Sequence, residues 1–89
     1  MRYFRYFWNE DFNGRGTSTH FYAVNENSRE VERQVEIYAD ATVLAYDQGH
    51  VHDDDGMLAD QLWDFDDSLA DEIDEATFRE AERLRPTNR

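Results

Sequence analysis

The sequence of 89 residues contains no cysteine and no lysine, and it has one proline and four glycines. The lack of cysteine excludes a disulfide scaffold, a zinc finger, an iron–sulfur site and a thiol nucleophile. The lack of lysine excludes a lysine nucleophile. No apolar run approaches the roughly 18 residues of a membrane span, and Met1 to Trp8 lacks the apolar core of a signal peptide. We therefore expect one soluble, cytoplasmic domain without a membrane partner.

Positive charge is also scarce, and the formal net charge of the chain is −12. All nine basic residues are arginine, against 21 Asp and Glu. Phosphate contacts require a basic patch, and the field around this protein would repel a polyanion. Direct binding of nucleic acid is therefore not expected.

The acidic residues are concentrated in one segment. Residues 47–78 contain twelve Asp and Glu and no Arg, whereas the nine remaining acids are balanced by nine Arg. Such a block is usually a solvated face or a disordered tail, and it is also typical of a surface that binds a basic partner. Apolar residues such as Leu62 and Leu69 are spread through it, which argues against disorder. We interpret the block as loosely structured chain that these apolar residues hold against the domain, with its carboxylates facing outward.

The first half of the chain has the alternating pattern of β-strands. Four segments show it, residues 2–8, 19–24, 30–39 and 42–46, and polar loop residues separate them. Asp40 and Ala41 supply a tight turn before the last segment. The pattern predicts a four-stranded antiparallel meander.

Two of these strands predict how side chains divide between the sheet faces. In the first, Phe4, Tyr6 and Trp8 form a wholly aromatic face. In the third, the interpretation places Val31, Val35, Ile37 and Arg33 on one face, and Glu32, Gln34, Glu36 and Tyr38 on the other.

The end of the chain predicts a helix over residues 74–85, followed by a tail at 86–89. Asp74 can cap it, Glu75 suits the first turn, and Pro86 cannot continue it. Residues 68–73 predict a further short turn of helix. We therefore expect an α+β fold in one domain, with a four-stranded antiparallel meander at 1–46 covered by an acidic irregular segment at 47–73 and one C-terminal helix.

Four stretches of the chain have a familiar pattern: residues 1–8, the Phe-Tyr-Ala-Val strand at 21–24, residues 29–38 and residues 73–78. Together they resemble a family of small acidic bacterial domains of unknown function. Asp40-Ala41 departs from that pattern, in which Asp-Gly is expected. The resemblance implies the same sheet and helix, and the family's general character resembles that of immunity proteins encoded beside bacterial toxins.

One cluster has metal-ligating residue types. His50 and His52 can converge on one ion if the segment is extended, and Asp53 or Asp55 would complete a set suited to zinc, nickel or iron. An EF-hand is excluded, because Gly56 at its sixth position would place Leu62 at the twelfth, where a carboxylate is required. His-x-His is also frequent by chance, so we expect no metal and no cofactor and keep His50, His52 and Asp53 as candidates.

No catalytic residues are expected. Paired carboxylates can be chosen almost anywhere in the acidic block, and none is marked as buried. Ser, His and Asp are present, but the nucleophile-elbow spacing is not.

The charge pattern favours a non-enzymatic acidic binding protein, of immunity or inhibitor type, that neutralises a basic partner such as a bacterial toxin. The alternatives are a phage-type DNA mimic that inhibits a DNA-binding protein, and an acidic domain adapted for solubility in a high-GC or halophilic organism. The predicted partner-binding residues are Asp53, Asp54, Asp55, Asp60, Trp63, Asp64, Phe65, Asp66, Asp67 and Asp71.

The outer face of the sheet carries a separate hypothesis. If Phe4, Tyr6 and Trp8 point inward, Tyr3 and Phe7 point outward and form a patch suited to a homodimer. The alternative is that Arg5 and Glu36 pair across strands and the rings pack over them.

Overall fold

Five strands form one antiparallel sheet in the computed structural model, which describes residues 1–11 and 13–88. With one C-terminal helix, α1, they make a small α+β fold, and the strands lie in the order β4-β3-β2-β1-β7. Strands β5 and β6 form a separate short hairpin. The elements are β1 Arg2–Trp8, β2 Ser18–Val24, β3 Val31–Tyr38, β4 Val43–Asp47, β5 His52–Asp53, β6 Gly56–Met57, β7 Asp71–Ile73 and α1 Glu75–Glu82.

The fifth strand, β7, corrects the expectation of four strands. Residues 68–73 were also expected to include a turn of helix, and that prediction is wrong, because Asp71–Ile73 pairs antiparallel with the outer edge of β1. Ile73 lies opposite Tyr3 and packs against the core. Arg2 donates two hydrogen bonds to Glu72, at 3.1 and 2.7 Å. An otherwise open strand edge thus gains a partner, which local helix propensity does not anticipate.

Helix α1 covers one face of the sheet. Its predicted cap is confirmed, since the Asp74 carboxylate accepts a hydrogen bond from the Thr77 backbone N–H at 2.8 Å. Phe78 is fully buried, and its ring centroid lies 5.2 Å from that of Tyr3. Ala81 completes the contact with the sheet. The helix is therefore held by a short apolar stripe and a capped N-terminus.

The opposite face of the sheet carries a second apolar cluster. Phe4, Leu44 and Tyr46 are buried there beneath Leu58. The partly buried ring of Trp63 packs on Phe4, with 4.9 Å between the centroids. Both faces of the sheet are therefore packed, and for this reason adjacent residues such as Tyr3 and Phe4 are both buried.

A β-bulge alters the predicted division of β3. Val24 lies opposite Val31, but Ala23 lies opposite Arg33, so Glu32 is an additional residue in the ladder. The bulge turns Val31 to the face of the second cluster, away from Val35. The expectation that these two valines share a face is wrong, because strict alternation fails across a bulge.

The tail continues the sheet's hydrogen bonding. The Thr87 N–H donates to the carbonyl oxygen of Val43 at 2.6 Å, and the Val43 N–H donates to Thr87 Oγ1 at 3.0 Å. Asn88 makes two further bonds to the backbone of Ala45. These contacts occupy the edge of β4. Across residues 1–11 and 13–88, no helix has the length and apolar character that crossing a bilayer requires.

Candidate functional site

A cavity of about 450 Å³ lies between the second sheet face and the β5–β6 hairpin. This volume is within the usual range for small-molecule sites. Aromatic rings from three neighbouring strands contribute much of the wall, and the hairpin supplies the opposite side. The lining residues are Tyr6, Trp8, Ser18, His20, Tyr22, Gln34, Glu36, Tyr38, Asp55, Gly56, Met57 and Ala59.

Strand pairing brings these side chains together. Tyr6, His20 and Glu36 lie opposite one another across β1, β2 and β3. Because alternate residues of a strand point to the same face, the residues two positions away on each strand join them. The cavity floor is thus a polar and aromatic patch in the middle of a sheet.

Glu36 is the charged residue at the floor of the cavity, and it is 7% exposed. Its carboxylate accepts hydrogen bonds from the Gln34 side-chain amide at 2.6 Å and from the Tyr38 hydroxyl. Gln34 is held in turn by Ala59, whose N–H donates to Gln34 Oε1 at 2.9 Å. Within residues 1–11 and 13–88, no Arg or His nitrogen lies within ion-pair distance of Glu36.

His20 is partly buried beside Glu36. Burial lowers the pKa of His20 below its usual 6.5, and the negative charge of Glu36 opposes that effect only in part. Burial together with the Glu36 charge raises the pKa of Tyr22 to about 12. Burial and the hydrogen bond to Glu36 also raise the pKa of Tyr38 above its usual range. Near neutral pH, His20 and both tyrosines are therefore uncharged.

The Ser18–His20 pair does not form an activated nucleophile. Ser18 Oγ lies 2.8 Å from His20 Nε2, but Ser18 is 3% exposed. In the described part of the chain, no hydrogen bond joins His20 to a carboxylate that would orient it as a base. A serine hydrolase requires both an accessible hydroxyl and such an orienting group.

The metal candidates form a structural junction. Asp53 accepts hydrogen bonds from His50 Nε2 at 2.7 Å, Asn88 Nδ2 at 2.8 Å, the Tyr46 hydroxyl at 2.9 Å and the Asp55 N–H at 2.8 Å. These bonds, that of His50 first, hold the pKa of Asp53 well below its usual range.

His52 is exposed and lies opposite Met57 in the hairpin. Residues 1–11 and 13–88 contain no group of three or more His, Asp or Glu placed to hold a metal ion. Asp53 instead ties the hairpin loop to β4 and the tail.

The chain matches no family model, no curated protein and no solved structure. The resemblance to small acidic bacterial domains stays a prediction.

The predicted partner-binding residues fall into three groups. Trp63 and Phe65 are partly buried against Phe4, at 4.9 and 5.9 Å between ring centroids. Asp53 and Asp55 are engaged within the domain, Asp55 by Arg15 at 2.7 Å. The remaining residues are exposed: Asp54, Asp60, Asp64, Asp66, Asp67 and Asp71.

Two leucines of the acidic segment do not hold it against the domain, and for them that prediction is wrong. Leu62 is 54% exposed and Leu69 is 85% exposed. Both lie outside strands and helices, where no periodic pattern separates inner from outer positions.

The outer-face hypothesis changes once the helix is considered. Tyr3 lies under α1, so Phe7, at 54% exposure, is the exposed member of that pair. Arg5 and Glu36 do not pair, because Arg5 lies opposite Phe21, whereas Glu36 lies opposite His20 on the other face. A homodimer through this face stays a prediction.

The strand pattern does not predict the cavity. It does predict that Gln34, Glu36 and Tyr38 share one face of β3, and the structure agrees. The available signal was that polar and aromatic residues alternate in the same way on β2, where Ser18 and His20 share a face. Only the pairing of β1, β2 and β3 in the sheet brings these residues together in one site.

Proposed function

We propose that this protein is a non-enzymatic acidic binding protein of immunity or inhibitor type, which neutralises a basic protein partner. The acidic segment, residues 47–73, would cover the second sheet face and turn its free carboxylates toward that partner. The observation that carries the proposal is a group of exposed aspartates without an ion pair among the described residues: Asp54, Asp60, Asp64, Asp66, Asp67 and Asp71.

The distribution of cations supports this proposal. Arg2, Arg15, Arg33 and Arg79 pair with Glu72, Asp55, Glu82 and Glu75 respectively. These pairs lie at the β1–β7 edge, the hairpin and the helix, and none of the four includes an exposed aspartate of the segment. A one-signed surface of this kind speeds association with an oppositely charged protein and makes the rate sensitive to salt.

A high affinity for the partner requires apolar contact across the interface as well as attraction between charges. Leu62 and Leu69 are exposed among the aspartates and can supply it. Trp63 and Phe65 would instead support the segment from below, because they pack on the sheet. In this arrangement the aspartates raise the rate of association with the partner, and the leucines lower the rate of dissociation.

The proposal is tested by affinity capture from an extract of the source organism at low and high salt, followed by kinetics with the purified partner. The test variant is Asp54→Asn/Asp60→Asn/Asp67→Asn. We expect a stoichiometric complex with a basic protein, in which the triple variant slows association roughly tenfold. Leu69→Ala should instead raise the dissociation rate.

The matched control is Glu10→Gln/Glu30→Gln/Glu80→Gln, which removes the same charge from exposed positions outside the segment. An equal loss of rate in both triple variants would show that only total charge matters and would contradict the proposal. Failure to recover any basic protein at low salt would also contradict it. If the partner binds DNA, competition by duplex DNA distinguishes DNA mimicry from toxin neutralisation.

A further inference from the structure

The cavity at the middle of the sheet contains the buried carboxyl group of Glu36, which has no ion pair among residues 1–11 and 13–88. Glu36 is more than nine-tenths buried, and both of its hydrogen-bond donors, Gln34 and Tyr38, are neutral groups. Arg15, whose guanidinium lies 5.7 Å from the Tyr38 ring centroid, is already paired with Asp55 at 2.7 Å. A buried carboxylate without a counter-charge is costly, and a bound cation would remove that cost.

The walls around Glu36 are suited to an organic cation. The ring of Tyr6 lies 5.9 Å from that of Trp8, and the ring of His20 lies 6.3 Å from that of Tyr22. Aromatic faces attract ammonium and guanidinium groups and pack against the hydrocarbon attached to them. Ca²⁺ is a poor match, since it requires six to eight oxygen ligands, whereas the cavity lining offers the carboxyl groups of Glu36 and Asp55, and Asp55 is paired with Arg15.

The mouth of the cavity is apolar and accessible. Trp8 is 42% exposed and Met57 is 47% exposed, and both line the cavity. A ligand entering here would pass apolar surface before reaching the carboxylate. This order of contacts fits a molecule with a charged end and an apolar body.

We propose that this cavity binds an organic monocation, in which an ammonium or guanidinium group meets Glu36 and an apolar body lies between Tyr6, Trp8 and Tyr22. The proposal goes beyond the function proposed above and does not depend on it, because the site is formed by the sheet and the β5–β6 hairpin and not by the exposed aspartates. The cation is either a free small molecule or an arginine or lysine side chain of a protein.

The test titrates the full chain with benzylamine and, in parallel, with the neutral benzyl alcohol, following the NMR signals of the Trp8 indole and the tyrosine rings. Benzylamine is expected to bind and to shift these signals, and benzyl alcohol to bind roughly tenfold more weakly or less. Glu36→Gln keeps the side-chain shape and should weaken benzylamine binding roughly 10- to 100-fold. Thermal unfolding of the variant checks that it remains folded.

Asp60→Asn is the matched control, because it removes a nearby exposed carboxylate that does not line the cavity. It should leave benzylamine binding within about twofold. Nα-acetyl-arginine N-methylamide, an arginine whose backbone groups are both blocked, separates the two sources of cation. If it binds, the cavity accepts the arginine side chain of a protein. If it does not bind although benzylamine does, the ligand is a free small molecule.

The proposal is overturned if neither cation binds, if benzyl alcohol binds as tightly as benzylamine, or if Asp60→Asn weakens binding as much as Glu36→Gln. Should Glu36→Gln fail to fold, the comparison of benzylamine with benzyl alcohol on the unaltered protein still decides the outcome. Loss of the exposed aspartates, as in the triple variant above, should not affect this binding. The two proposals can thus fail separately.

Discussion

At the scale of single residues, Ala41 has a backbone conformation that alanine rarely adopts. Its φ is 76°, and it follows a turn in which the Ala41 N–H donates to the Tyr38 carbonyl at 2.9 Å. The Cβ atom is crowded in this left-handed region, whereas glycine enters it freely. The departure from Asp-Gly noted in the sequence therefore places a strained residue in the β3–β4 turn.

We predict that Ala41→Gly stabilises the protein by about 0.5–1 kcal/mol, because relief of backbone strain exceeds the added flexibility of the unfolded chain. Urea unfolding measures the change. Ala76→Gly, at an exposed helix position, is the control and should be destabilising. A loss of stability in both variants would contradict the strain at position 41.

The protonation of His20 is expected to make the stability of the protein depend on pH. Its pKa is lowered in the folded state, so below about pH 6.5 the unfolded chain binds more protons than the folded one. Stability should therefore fall as the pH is lowered through this range toward the folded-state pKa. Replacing His20 removes this contribution.

We predict that lowering the pH from about 7.5 to about 5 reduces the Tm of the His20→Gln variant less than it reduces the Tm of the unaltered protein. His52→Gln, at an exposed position, should behave like the unaltered protein. Thermal unfolding monitored by circular dichroism at each pH provides the measurement. Identical pH profiles for His20→Gln and His52→Gln would reject the effect.

At the scale of elements, the sheet is packed on both faces by unlike partners. Helix α1 inserts Phe78, which is fully buried, whereas Trp8 at the end of β1 remains 42% exposed beside the cavity. The aromatic pattern of β1 predicts Phe4, Tyr6 and Trp8 as equivalent positions. In the structure Phe4 is buried in the sheet, whereas Trp8 lies at the end of β1 and stays exposed.

We predict that Phe78→Ala costs about 3–5 kcal/mol, and that Trp8→Ala costs about 1–2 kcal/mol because less of its surface is removed from water. Chemical denaturation of the two variants compares these values directly. Equal costs would contradict the different burial of the two rings.

At the scale of the whole molecule, the net charge of −12 produces self-repulsion in the folded state. Much of this repulsion arises in the segment 47–78, where acids occur without arginine. Ions screen exposed charges beyond about 10 Å at 0.1 M salt. Stability is therefore expected to depend on ionic strength.

We predict that Tm rises as sodium chloride is increased from about 0.02 M to about 0.5 M. Asp54→Asn/Asp60→Asn/Asp67→Asn should have a higher Tm in low salt and a smaller salt response. Glu10→Gln/Glu30→Gln/Glu80→Gln should change both quantities less, because those acids lie outside the block. Differential scanning calorimetry measures both, and an equal response of the two triple variants would contradict a localised repulsion.

The local elements follow from local chemistry. Three features depend only on residues that are close together in the chain, and each can be predicted from the sequence. They are the alternation of the strands, the Asp74 cap and the acidic run at 47–78. Strand β7 and the bulge at Glu32 are different, because they depend on how strands pair, and β7 pairs with a strand at the opposite end of the chain. Ile73 becomes a strand residue only beside Tyr3.

The sequence by itself determined the α+β class, the capped helix and the concentration of negative charge, since these arise from periodicity, local hydrogen bonding and composition. Only the tertiary structure decided which residues share a site. Tyr6, His20 and Glu36 are distant in the chain, and cross-strand pairing brings them to one row. The burial of Glu36 beneath the hairpin, which no local pattern encodes, places a carboxyl group without an ion pair in the described part of the chain at the floor of an aromatic cavity.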